Sequence, residues 1–159
     1  MRIAVTGHRP DKLGREYDMI GPYSNHIRTE LQTVIDSFSH NNLELLTGMA
    51  LGVDMIWAQL AIHNNIPFIA YIPFKGQELK WPEKSQKLYH QLLSKAEKII
   101  ICSPGSYSAQ KMQIRNIKMV DDSNLLVAVF DGTTGGTYNC VQYAESISKS
   151  ILRINPKPK

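Results

Sequence analysis

The stretch Leu43–Ala61, LELLTGMALGVDMIWAQLA, decides how the rest of the chain is read. Its opening run Leu43 to Leu46 is short and apolar, which predicts a strand. A loop with two glycines follows from Thr47 to Asp54, and Val53, Ile56, Trp57, Leu60 and Ala61 then share one helical face. A strand that enters an amphipathic helix through a glycine turn is half of a β-α-β unit. The remaining sequence repeats it. Further strands are predicted at Ile3 to Thr6, Phe68 to Ile72, Ile99 to Cys102, Leu125 to Phe130 and, more weakly, Ile151 to Ile154. Between them, Ile27, Leu31, Val34, Ile35 and Phe38 form one helical stripe and Leu88, Leu92, Leu93 and Ala96 another. Two more helices are expected over residues 108–120 and 137–149. Ile99–Ile101 and Leu125–Val129 are apolar at every position, the pattern of strands covered by helices on both faces. The expected fold is therefore α/β: a Rossmann-like, doubly wound, mainly parallel sheet of about six strands, with ligands in the crevice at the strands' carboxyl ends.

The 159 residues suit one domain, expected over residues 1–155, with the basic tail Pro156-Lys157-Pro158-Lys159 fraying. There is no internal repeat. No stretch approaches the roughly 18 apolar residues of a membrane span, and Met1-Arg2-Ile3-Ala4-Val5 runs straight into a strand without a leader, so a cytoplasmic protein is expected. Cys102 and Cys140 are the only thiols and neither has metal-ligand spacing. Both are read as buried and reduced, with no metal site. The net charge of +4 is mildly favourable for anionic partners.

Three glycine loops follow predicted strands. In Thr6-Gly7-His8-Arg9-Pro10, Gly7 permits close backbone approach and Arg9 offers a planar fork to a phosphate or carboxylate. In Thr47–Asp54, Gly48, Met49, Ala50 and Gly52 precede a helix whose free amides and positive dipole end suit an anion, while Asp54 is placed either to cap that helix or to hold a ligand hydroxyl. This is neither a dinucleotide-binding G-x-G-x-x-G nor a P-loop, and no cofactor is implied. In the third loop, Asp131 to Thr137, Gly135, Gly136 and Thr137 supply amide and hydroxyl donors, and Asp131 is placed for a ribose hydroxyl or a basic residue. Two further segments face the same edge. Met112, Arg115, Asn116 and Met119 share one face of the fourth helix, suited to a mixed pocket wall or to a salt-bridged helix edge. The long loop Pro73 to Pro82 carries Gln77, able to read a base edge, and Trp81, able to stack on a base or to pack on the core.

With those residues placed, the chain resembles the SLOG superfamily, which includes DprA and the LOG enzymes, and within it the YpsA-like branch. The resemblance rests on Thr6–Pro10, Thr47–Asp54, Pro73-Phe74 through Gln77 with Trp81, Arg115-Asn116 with Met119–Asp121, and Asp131-Gly132 with Gly135–Thr137. It implies a Rossmann-like domain that binds a nucleoside monophosphate or a signal derived from NAD or ADP-ribose, in a phage or prophage setting and with pairing into a homodimer or a higher homo-oligomer. LOG enzymes carry a P-G-G-x-G-T-x-x-E run whose glutamate assists N-glycosidic cleavage. Here Gly135-Gly136-Thr137 is followed by Tyr138-Asn139-Cys140-Val141, without that glutamate.

The expected function is binding of a phosphate-bearing, nucleotide-like small molecule, sensed or sequestered, with Trp81 or Met49 covering the base. An alternative is hydrolysis of a nucleotide N-glycosidic bond, for which Asp54, Glu78 and Asp131 are the candidate carboxylates. A third is DprA-like binding of single-stranded DNA, against which the modest charge argues.

Overall fold

Alternate residues of each central strand fall into two separate hydrophobic clusters, and this period of two sets the layers of the molecule. A computed structural model describes all residues, Met1–Lys159. In chain order the elements are β1 (Arg2–Gly7), a 3-10 turn (Pro10–Lys12), α1 (Pro22–Ser37), β2 (Glu44–Thr47), α2 (Val53–His63), β3 (Phe68–Ile72), α3 (Glu83–Leu93), β4 (Lys98–Ile101), α4 (Ala109–Asp122), β5 (Leu125–Val129), α5 (Gly136–Ser146) and β6 (Ser150–Ile154). Ile3, Val5, Leu45, Phe68, Ala70, Ile72, Leu125, Val127 and Val129 point into the larger cluster, with α1 and α2. Ala4, Leu46, Ile69, Tyr71 and Leu126 point the other way, against Met119 and Val120 of α4 and Cys140 and Ala144 of α5. Helices α1, α2 and α3 pack as neighbours on one face, and α4 with α5 on the other.

The sheet has six strands in the order β4-β3-β2-β1-β5-β6, every pairing parallel. From β1 the chain winds outward through β2, β3 and β4, then crosses back to place β5 on the other side of β1. The winding therefore reverses between β1 and β5, and that gap at the carboxyl ends is where a doubly wound sheet leaves a crevice.

Two local expectations are corrected. The apolar run of β4 is not covered on both faces: it is the sheet edge, with Ile99 and Ile101 47% and 53% exposed. The polar segment Asp11 to Tyr23 is tied into the fold, because Leu13 and Met19 enter the core and Pro22 already begins α1. Gly21 offers α1 no side-chain cap, so Glu16 takes that role: its carboxylate accepts from the Tyr23 and Ser24 amides at 3.0 and 2.8 Å. The C-terminal tail is anchored at its start, where Pro156 is buried and the Lys157 amide donates to Asn155 Oδ1.

Candidate functional site

A half-open cavity of about 260 Å³ lies at the β1–β5 reversal. Its walls come from four places: Val5 to Arg9 with Asp11 and Lys12 after β1, Ala50 and Asp54 at the start of α2, Met112, Arg115, Asn116 and Met119 on α4, and Thr133 with Gly135–Thr137 at the start of α5. Segments more than a hundred residues apart in sequence thus meet at one point, as the topology requires.

The exposed rim carries two cations, Lys12 and Arg9, with Asp11 beside them. No side chain caps α5, so the first-turn amides of its glycine-led N-terminus remain free and carry the positive end of the helix dipole. Lys12 stands over this end: its Nζ donates to Thr133 Oγ1 at 2.9 Å and to Thr134 O at 3.4 Å. An ammonium beside a helix N-terminus is a repulsive arrangement unless an anion sits between the two. Arg9 lines the same cavity, exposed and without an ion-pair partner. His8 is buried beneath, with Nε2 at 2.9 Å from Asp131 Oδ1 and 3.1 Å from the Asp131 amide nitrogen. A single Nε2 serves one of these at a time: as N–H it donates to the carboxylate, and as a lone pair it accepts from the amide. Asp131 Oδ1 also accepts from the Thr133 amide and hydroxyl. Those Thr133 bonds, then the His8 contact, hold the Asp131 carboxyl well below the usual carboxylate range, so it is ionised at neutral pH.

The cavity floor is different. Arg115 and Asp54 are 5% and 6% exposed, and neither is within ion-pair distance of the other. Arg115 Nη1 donates to Gly48 O at 2.7 Å and Tyr71 O at 3.3 Å, and its Nε donates to Asn116 Oδ1 at 3.0 Å. Asp54 Oδ2 accepts from the Ala50 amide at 3.2 Å. Burial raises the Asp54 carboxyl above its ordinary value, with Arg115 and the Ala50 amide opposing, and burial lowers Arg115, with Asp54 opposing.

Of the residues expected at the site, Gly7, His8, Arg9, Ala50, Asp54, Arg115, Asn116, Gly135, Gly136 and Thr137 line this cavity. The others lie outside its wall. Met49 has a positive φ of 58° that turns its side chain into the core, so it covers no ligand. Gly48 and Gly52 shape the wall from behind: a Cβ on Gly48 would fall 2.2 Å from Arg115 Nη1, and one on Gly52, at φ +95°, would fall 2.8 Å from His8 O. Gln77 Nε2 donates to Gly48 O at 3.1 Å, leaving its buried Oε1 without a partner. Trp81 packs edge-on to Tyr89 on the three-helix side. Glu78 is buried beside His90, 3.1 Å away. Asp131 stands outside the wall and acts on it through His8. Cys140 lies in the two-helix core, its thiol pushed up to about 11 by burial. Lys12 and Thr133 were not expected, since only the fold brings positions 121 residues apart together.

These features define a doubly wound, Rossmann-like α/β domain whose crevice opens at the switch point of its sheet. The chain belongs to the YspA SLOG family, whose model matches residues 3–155. It is similar to the SPbeta prophage-derived protein YoqJ of Bacillus subtilis (strain 168), with 32% identity over 158 residues, 87% of this chain and 92% of that protein. Among solved structures it shares the fold of DNA processing protein A (DprA) from Helicobacter pylori, with a TM-score of 0.68 and 17% identity, covering 96% of this chain and 64% of that one. DprA from Streptococcus pneumoniae gives 0.67 and 16%, covering 96% of this chain and 49% of that one. The chain thus spans between half and two thirds of the DprA chains. No helix is long and apolar enough to cross a membrane.

Proposed function

We propose that the crevice binds a phosphate-bearing, nucleotide-like small molecule, a nucleoside monophosphate or a signal derived from NAD or ADP-ribose, and that the protein senses or sequesters it. One observation carries this reading: the free amides of α5, the ammonium of Lys12 and the guanidinium of Arg9 converge on one cavity, and neither cation makes an ion pair with Asp11 or Asp54 of the same wall. A phosphate monoester brings the missing charge and enough acceptor oxygens for all three. Isothermal titration with AMP, ADP-ribose and NAD tests it. Binding of at least one below millimolar concentration is expected, and no binding of any at millimolar concentration removes the reading.

Hydrolysis of an N-glycosidic bond is the weaker alternative. The LOG-type glutamate position falls at Cys140, buried in the core, and Glu78 and Asp131 stand outside the cavity wall. Asp54 is then the candidate that remains in the floor. Chromatography of AMP after incubation with the protein decides it, unchanged AMP counting against catalysis.

The likeness to DprA favours a second binding reading, since the Helicobacter pylori protein is described by its single-stranded DNA binding mode. A gel shift with a labelled oligonucleotide at two salt concentrations separates the readings: DNA binding predicts a shift that weakens steeply with salt.

A further inference from the structure

Two oppositely charged side chains share the cavity floor, and each keeps one polar atom without a protein partner. Asp54 uses Oδ2 for the Ala50 amide, while Oδ1 makes no hydrogen bond and is not sealed from the cavity. Arg115 spends Nε and Nη1 on Asn116, Gly48 and Tyr71, while Nη2 has no acceptor and is not sealed either. A carboxylate oxygen and a guanidinium nitrogen held on the floor of a cavity and left open to it are matched best by a guest that pairs with both.

A guest group at this floor must donate to Asp54 and accept from Arg115. A fully ionised phosphate or carboxylate fails against an ionised Asp54, because it has no proton to donate. A sugar hydroxyl does both with one oxygen, and a vicinal diol can donate to Asp54 through one hydroxyl while accepting from Arg115 through the other. Size favours the sugar over the base. At about 260 Å³ the cavity lies below the usual range for drug-sized ligands, so it suits a phosphate and the pentose beside it, with the base towards the open mouth.

We infer that Asp54, with Arg115, reads the ribose hydroxyls of the bound phosphate ester and makes the crevice selective for ribo over deoxyribo ligands. This rests on the phosphate-ester reading above. It also separates the two binding readings, because DNA carries no 2′-hydroxyl.

The test is titration calorimetry on the intact wild-type chain with AMP, 2′-deoxy-AMP, 3′-deoxy-AMP and ribose 5-phosphate. Removing a hydroxyl that donates to a buried carboxylate is expected to weaken binding by about 10- to 100-fold. At least one of the two deoxy analogues should show that loss, and ribose 5-phosphate should bind within about tenfold of AMP. In D54N, shown to be folded by its thermal transition, AMP and the affected analogue should converge in affinity. If AMP binds the wild type and both deoxy analogues bind equally well, hydroxyl reading is wrong while phosphate-ester binding stands. If D54N keeps the discrimination, another residue performs it and the assignment to Asp54 fails. If neither AMP nor ribose 5-phosphate binds, both the inference and the reading beneath it fall.

Discussion

The loop before α2 and the loop before α5 look alike as sequence, each a strand end, paired glycines and a helix start, yet their environments are opposite. Every residue from Thr47 to Asp54 is buried, whereas Asp131 to Gly136 are all exposed. In the first, the glycines exist because other protein atoms occupy the space a side chain would need. In the second, a Cβ on Gly136 would meet nothing within 4 Å. The buried loop is a wall, braced by Arg115 and Gln77 through the Gly48 carbonyl. The exposed one leaves its amide donors facing solvent, the arrangement that the proposed phosphate binding uses. A glycine-rich turn in this fold is therefore either packed or open, and spacing alone does not tell which.

Substitution at each loop should break that symmetry. G48A drives a methyl into the Arg115 guanidinium, and restoring space means giving up its bonds to Gly48 O and Tyr71 O. Urea denaturation should show a loss of about 3 kcal/mol or more, the cost of stranding buried polar groups. G136A should stay within about 0.5 kcal/mol of wild type, while its methyl intrudes on the phosphate cradle and weakens AMP binding. A destabilised G136A, or a G48A as stable as wild type, would reverse the assignment of wall and cradle.

The floor and rim should also titrate differently. Asp54 has a raised carboxyl. Between the ordinary Asp value near 4 and that raised one, the folded state holds more protons than the unfolded chain, so stability falls as pH rises. Denaturation of wild type against D54N across this window should show wild type losing ground as pH increases. A difference that does not change with pH would mean that Asp54 is not desolvated.

At the rim, K12A and R9A should each leave stability within about 0.5 kcal/mol of wild type and weaken AMP binding by about tenfold. Calorimetry and a melting curve on the same sample check both halves. The smallest effect is expected of T133V. Loss of the hydroxyl bond should move the Asp131 carboxyl upward toward its ordinary value, which carboxylate NMR shifts would follow, with little change in melting because the residue is exposed.

Much of this architecture was legible in residue pattern. Strand and helix positions follow from periodicity, and the all-parallel sheet follows from their alternation. Ile99–Ile101 misleads because composition does not say which strand ends the sheet: β4 lies outermost and pairs with β3 alone. Met49 misleads for a conformational reason, since an apolar residue in a glycine loop reads as a ligand cover until its left-handed backbone is seen to turn it inward. Lys12 and the His8–Asp131 contact were invisible because each joins β1's loop to β5's across more than a hundred residues. Arg115 was legible as a pocket residue, but its grip on Gly48 was not.

The binding predictions all depend on a phosphate being received by α5's N-terminus, Lys12 and Arg9. Amide NMR on the ¹⁵N-labelled chain titrated with AMP tests it most directly. The largest shifts are expected at Gly135–Tyr138 and Gly7–Lys12, saturating together. Saturable shifts elsewhere with these amides unmoved, or no shifts at all, would contradict it.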